Sequence, residues 1–205
     1  GTGTTAAGVI SNPYQLTGLM ANTIYDVYVQ ADCGASGGTG QSAWSGPLTF
    51  RTLPDSATGL NCVSGGAEFA VFSEEFDNNN AGWTGDINSG NDSWEIPDAS
   101  GSSNTGASSA YSGLNYMNFE ASNTAVSQGS IVSPAIDLSN GADDAELSFW
   151  MHAFGEDMGS LEVGVSTSST GPFTNVFTWT GELQTSGTDD WVNVGVDLSA
   201  YLGQT

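Results

Sequence analysis

Glu75 and Asp77 stand two positions apart in FSEEFD (72–77), a spacing that puts both carboxylates on one face of an extended strand, with Phe76 opposite. Glu74 falls on the Phe76 side. A third acid, Asp92, precedes Trp94 in the Asn91-Asp92-Ser93 run. Oxygen ligands gathered from a strand and a neighbouring loop suit Ca²⁺, which takes about six to eight of them, carbonyls and waters included. A structural Ca²⁺ held by Glu75, Asp77 and Asp92 is the expected cation site. Its alternative is a solvated acidic strand edge, which also discourages edge-to-edge pairing. His152, the only histidine, lies in FWMHAFG. Proton transfer needs a partner within hydrogen-bond reach, and its sequence neighbours offer none. With Met151 facing a core, His152 is expected to turn away from it, beside Trp150, in a structural role. The chain also lacks a nucleophile elbow, a zinc motif and a phosphate loop, so no catalytic residue and no enzyme is expected.

The elements that must position these groups alternate with period two rather than 3.6. Tyr25, Val27 and Val29 share one strand face, and so do Leu48 and Phe50. Leu147, Phe149 and Met151, then Leu161, Val163 and Val165, then Val192, Val194, Val196 and Leu198 repeat the pattern. Each run reads as a half-buried strand of an all-β sandwich. Alternation lapses in LPDSATGLNCVSGG (53–66), where Pro, Gly and Ser mark a domain boundary. The Gly/Ser/Asn-rich tract 98–113 sits among strand signals and is expected to be a long surface loop.

Composition narrows the partners. The chain has 23 acidic residues against one basic side chain, Arg51, and a net charge of −22, which removes the cations that nucleic acid or an anionic membrane would need. Divalent cations, basic surfaces and neutral glycans remain; so does the plain reading that the charge keeps the protein soluble. No run of about 18 apolar residues is present, so no membrane-inserting helix is expected. Hydrophobic residues at 38% exceed what disordered chains carry, and 205 residues suffice for two ordinary domains.

LTGLMANTIYDVYVQADC (16–33) resembles the fibronectin type III pattern through Leu16, Leu19, Thr23 and Tyr25. The resemblance implies a tyrosine corner, in which the Tyr25 ring covers the sandwich edge and its hydroxyl bonds upstream backbone. SAWSGPLTFRT (42–52) is similar to the last strand of that fold with its preceding loop, which holds Trp44. Residues 1–53 then correspond to the C-terminal part of such a domain, with the earlier strands expected before Gly1. Cys33 ends the penultimate strand and Cys62 follows the last one, so a disulfide between them is expected, with free buried thiols as the alternative.

Residues 67–205, beyond a linker at 54–66, resemble a MAM domain, an extracellular jelly-roll sandwich. The match runs through FSEEFD, Gly82-Trp83, NDSW (91–94), SGLNYMNFEAS (112–122), SPAIDLS (133–139), LSFWMHAFG (147–155), GSLEVGVS (159–166) and WVNVGVDLSAYLG (191–203). It lacks the cysteines of animal MAM domains, as looser bacterial versions do, and two further strands are expected after Thr205. The resemblance implies an acidic residue at the Asp92 position and a structural cation nearby. Some glucanases share a jelly-roll fold but set their acids as Glu-x-Asp-x-Glu, and here position 79 is Asn79.

Loop aromatics, expected at Trp44, Trp83, Trp94 and Trp179, suit stacking on sugar rings or on a core. Trp44 is the one kept for ligand stacking. Asp55-Ser56-Ala57 resembles an O-glycosylation motif of exported bacterial proteins, making Ser56 a glycosylation candidate. The leading expectation is a non-catalytic, extracellular binding and spacer segment of a cell-surface adhesin or secreted multidomain protein, stabilised by calcium and binding a protein or glycan. Two alternatives stay open: part of a fibre or surface layer that contacts neighbouring copies of itself, and accessory domains of a secreted protease or glycoside hydrolase.

Overall fold

Tyr25 and Val27 lie on β1 (Ile24–Val29), which pairs antiparallel with β2 (Ser45–Arg51) in the computed structural model of the chain. The structure describes residues 3–11, 13–32, 40–57, 70–78, 80–88, 93–100, 102, 104–120, 128–139 and 141–205. It divides into two units, Gly1–Asp55 and Ser56–Thr205.

In the smaller unit the register sets Tyr25 opposite Phe50 and Val27 opposite Leu48, so the alternating apolar residues of both strands meet on one face. The Tyr25 and Phe50 rings stack with centroids 6.0 Å apart. The register shifts between Val27 and Val29. Gly46 lies at that shift with φ 135°, and a Cβ there would run into the Val27 carbonyl oxygen, so the close approach of the strands requires glycine. Upstream of β1, the Met20 N–H donates to the Tyr25 hydroxyl at 2.9 Å.

The larger unit holds β3 (Thr84–Gly85), β4 (Ser93–Glu95), β5 (Asn118–Glu120), β6 (Ile131–Val132), β7 (Glu146–Met151), β8 (Ser160–Val165), β9 (Thr174–Thr180) and β10 (Val192–Asp197). A 3₁₀ turn follows at Ser199–Tyr201. All pairing between these strands is antiparallel: β3 with β6, β4 with β5, β7 with β10 and β8 with β9. Leu147, Phe149 and Met151 oppose Val196, Val194 and Val192, which gives the β7–β10 pair one continuous apolar face. Leu161 and Val163 oppose Trp179 and Phe177 on the other pair.

The two apolar faces meet. Met151, Trp179, Val194 and Val196 form the buried centre, with Leu147, Phe149, Leu161, Val176, Phe177, Leu183 and Leu198 packed around it. Phe149 from β7 and Phe177 from β9 touch edge to face, centroids 5.6 Å apart. Trp179 therefore sits in a strand and in the core rather than in a loop; its Nε1 donates to the Gly181 carbonyl at 2.8 Å, which satisfies the one polar atom this large side chain buries. Trp94 is likewise a strand residue, on β4, where its ring meets Phe119 of β5 edge to face at 5.4 Å. The loop expectation for both failed because polar residues flank each Trp, Ser93 and Glu95 in one case and Thr178 and Thr180 in the other, and mask the strand.

No helix among the described residues is long and apolar enough to cross a membrane. Because Trp179 fills the centre of the sandwich, Trp179→Ala is expected to cost about 3–5 kcal/mol, read from the shift in the denaturant midpoint.

Candidate functional site

The FSEEFD segment does not run as a strand. Phe76 has φ 61°, and its N–H donates to Glu74 Oε1 at 2.5 Å, so the chain turns where extended backbone was expected. The ring of Phe76 packs against Trp83, centroids 5.7 Å apart, and Phe72 meets the same indole at 6.4 Å. Burial of these aromatics sets the local backbone. As a consequence the two acids part: Glu75 is exposed, whereas Asp77 is half-buried.

Asp77 serves as an anchor. Its Oδ1 accepts the Leu114 N–H at 2.7 Å and the Asn115 N–H at 3.0 Å, tying the first segment of the unit to a loop 37 residues away. The carboxylate lies directly over Gly113, which has φ +67°, and any Cβ at that position would collide with it. Beside this anchor a recess of about 380 Å³ is lined by Asp77, Asn80, Asn88, Ile96 and Asn115. One carboxylate and three amide side chains make a wall of hard oxygen donors, the chemistry that Ca²⁺ takes. Asp92, the third expected ligand, lies outside the described residues, as does Asn79. Among the described residues no group of three or more His, Cys, Asp or Glu is gathered for a metal. Counting carboxylates alone overlooked Asn80, Asn88 and Asn115; the Asn78-Asn79-Asn80 run was the available signal.

Glu95 on β4 accepts the Asn118 side-chain amide of β5 at 3.2 Å. Burial, then the charges of Glu95 and Asp98, push the Tyr116 hydroxyl up to about 12, so it stays protonated and donates to the Ala107 carbonyl at 2.9 Å.

His152 follows β7, its ring 5.4 Å from the Trp191 ring. Among the described residues neither ring nitrogen, both of them buried, has a hydrogen-bond partner of normal geometry. Burial lowers its pKa below 6.5, opposed by the Ser186 backbone and the Asp189 charge. An imidazole held neutral by burial beside Trp191 packs as an aromatic body. Trp83 and Trp94 also face inward, and the Trp94 Nε1 donates to the Gly129 carbonyl at 3.1 Å. Trp44, just before β2, is 57% exposed, and Ser56 is exposed. Cys33 and Cys62 lie outside the described residues.

Two outcomes follow. Gly113→Ala forces a Cβ into the Asp77 carboxylate at a left-handed backbone position and is expected to lower stability by more than about 1 kcal/mol in denaturant titrations. For His152, the folded pKa is below the unfolded one, so the unfolded chain binds more protons and stability falls as pH drops from about 7.5 through 6.5. His152→Leu should flatten that part of the stability–pH curve.

Comparison with known proteins adds one finding. Residues 75–204, more than half of the chain, match the family described as MAM domain, meprin/A5/mu. No curated protein and no solved structure gives a significant match.

Proposed function

Since the chain belongs to the MAM domain family, whose members are extracellular adhesion-type domains that mediate protein–protein contacts, we propose that it is a non-catalytic binding and spacer segment of a cell-surface adhesin or secreted multidomain protein. The family match over residues 75–204 carries this reading. The packing of His152 against Trp191 agrees with it, because the one side chain best suited to proton transfer near neutral pH is engaged there. The test is the complete polypeptide isolated from its source: a purely modular protein that adheres to a surface supports the reading, and a protease or glycosidase domain in the same polypeptide overturns it in favour of an accessory role.

Residues 1–53 are the C-terminal part of a fibronectin type III-like domain, followed by a linker at 54–66. The Met20 to Tyr25 hydrogen bond supports this, being the upstream backbone contact that a tyrosine corner makes. Ser56, exposed in the linker, takes an O-linked glycan that the intact mass would reveal.

Calcium rigidifies the MAM unit from the Asp77 side of the polar recess, with Glu75 and Asp92 as further acidic groups. The support is the donor set around Asp77, where amide oxygens from Asn80, Asn88 and Asn115 supplement a single carboxylate. Thermal melting decides it. At one hundred times its Kd, bound Ca²⁺ adds about 2.7 kcal/mol, so the midpoint should rise with calcium and return with chelator. Asp77→Asn should abolish the rise; a midpoint indifferent to calcium in the unaltered protein would remove the proposal.

A further inference from the structure

The loop over residues 107–116 is fastened to the larger unit along its length. The Ser108 N–H donates to the Gly187 carbonyl at 2.8 Å, and Trp191 Nε1 to the Ser109 carbonyl at 3.2 Å. Leu114 and Asn115 hang from Asp77, and the Tyr116 hydroxyl closes the loop onto Ala107. Between these ties Tyr111 lies flat on Trp150 of β7, ring centroids 3.7 Å apart and planes within 15° of parallel. Trp150 alternates with Phe149 and Met151, so it stands on the outer face of its sheet, away from the core. The pair stays wet: Trp150 is 41% exposed and Tyr111 50%, while Leu114 on the same loop is 72% exposed.

We propose that the Tyr111–Trp150 stack is a docking platform for a partner protein that presents arginine or lysine side chains. The proposal rests on the adhesion reading and deepens it by naming the surface and the partner's chemistry. Aromatic faces attract cations, and residues 56–205 contain no lysine or arginine to occupy them from within. All the acidic residues except Asp26, Asp32 and Asp55 also lie in 56–205, so the field of the same unit draws a basic surface toward it and turns a second copy of the chain away. The ties on both sides of Tyr111 hold the rings in place before docking, which removes the ordering cost that a free loop would impose. Tyr and Trp are the residues that most often dominate such contacts. A neutral glycan would use the same rings but would ignore the charge.

The test is a fluorescence titration of the full chain with a hexa-arginine peptide at about 0.15 M salt, where long-range attraction is largely screened. Trp150→Ala, Tyr111→Ala and Trp44→Ala all keep the net charge. Binding should weaken about tenfold in the first two and stay unchanged in Trp44→Ala. Leu114→Lys leaves both rings in place and puts a competing cation on the exposed loop; it should weaken binding as well, which guards against misfolding of the ring variants. Equal affinity in the unaltered protein, Trp150→Ala and Leu114→Lys would overturn the platform. So would binding of a neutral xylohexaose that Trp150→Ala abolishes, which would assign the rings to a glycan. Both outcomes leave the adhesion reading standing, since that reading fails only on a catalytic domain in the source polypeptide.

Discussion

With no lysine or arginine in residues 56–205, several carboxylates of the larger unit take backbone N–H groups and hydroxyls as partners. Asp77 holds Leu114 and Asn115, and Asp86 holds the Ser130 N–H at 2.9 Å. Glu182 holds the Gly155 N–H at 3.0 Å, and Asp189 gathers the N–H groups of Thr185 and Ser186. Asp137 accepts from both the N–H and the hydroxyl of Ser139, and those two bonds, the hydroxyl first, hold its carboxyl below the usual carboxylate range. A carboxylate that accepts from backbone fixes the path of the chain as well as its own charge. The loops of this unit are therefore shaped by acids.

That arrangement links charge to surface shape. Asp77 and Trp191 tie the 107–116 loop down from opposite sides, and the loop in turn lays Tyr111 on Trp150. The sandwich core supplies the other half of the geometry. Phe149, Met151, Val194 and Val196 point inward, and strict alternation then obliges Trp150 to point out. One face of β7 holds the two sheets together, and the other presents an aromatic ring to water.

The acidic surface has a cost in self-repulsion that falls steeply with salt. Oriented N–H groups beside Asp77, Asp86, Glu182 and Asp189 stabilise those charges and limit it. Among the described residues the exceptions to satisfied side-chain polarity are the buried ring nitrogens of His152 and the Nε1 of Trp83. Both belong to rings packed among other aromatics, where shape outweighs one unmade hydrogen bond of about 1–3 kcal/mol.

The sequence by itself determined the all-β class, the inward residues of β7, β8 and β10, the strand runs that hold Tyr25 with Val27 and Leu48 with Phe50, and the MAM resemblance. These are legible because period-two alternation is a local property, and burying one face of a strand fixes every second residue. The Glu75–Asp77 pair was legible as chemistry but not as geometry. Local spacing predicted a shared face, and the aromatic contacts of Phe76 with Trp83 replaced it with a turn. Only the tertiary structure decided that Asp77 grips a loop 37 residues away, that Asn80, Asn88 and Asn115 line its recess, and that Tyr111 finds Trp150. Each of these joins residues far apart in the chain. Such contacts depend on how sheets and loops pack, and no local pattern encodes that.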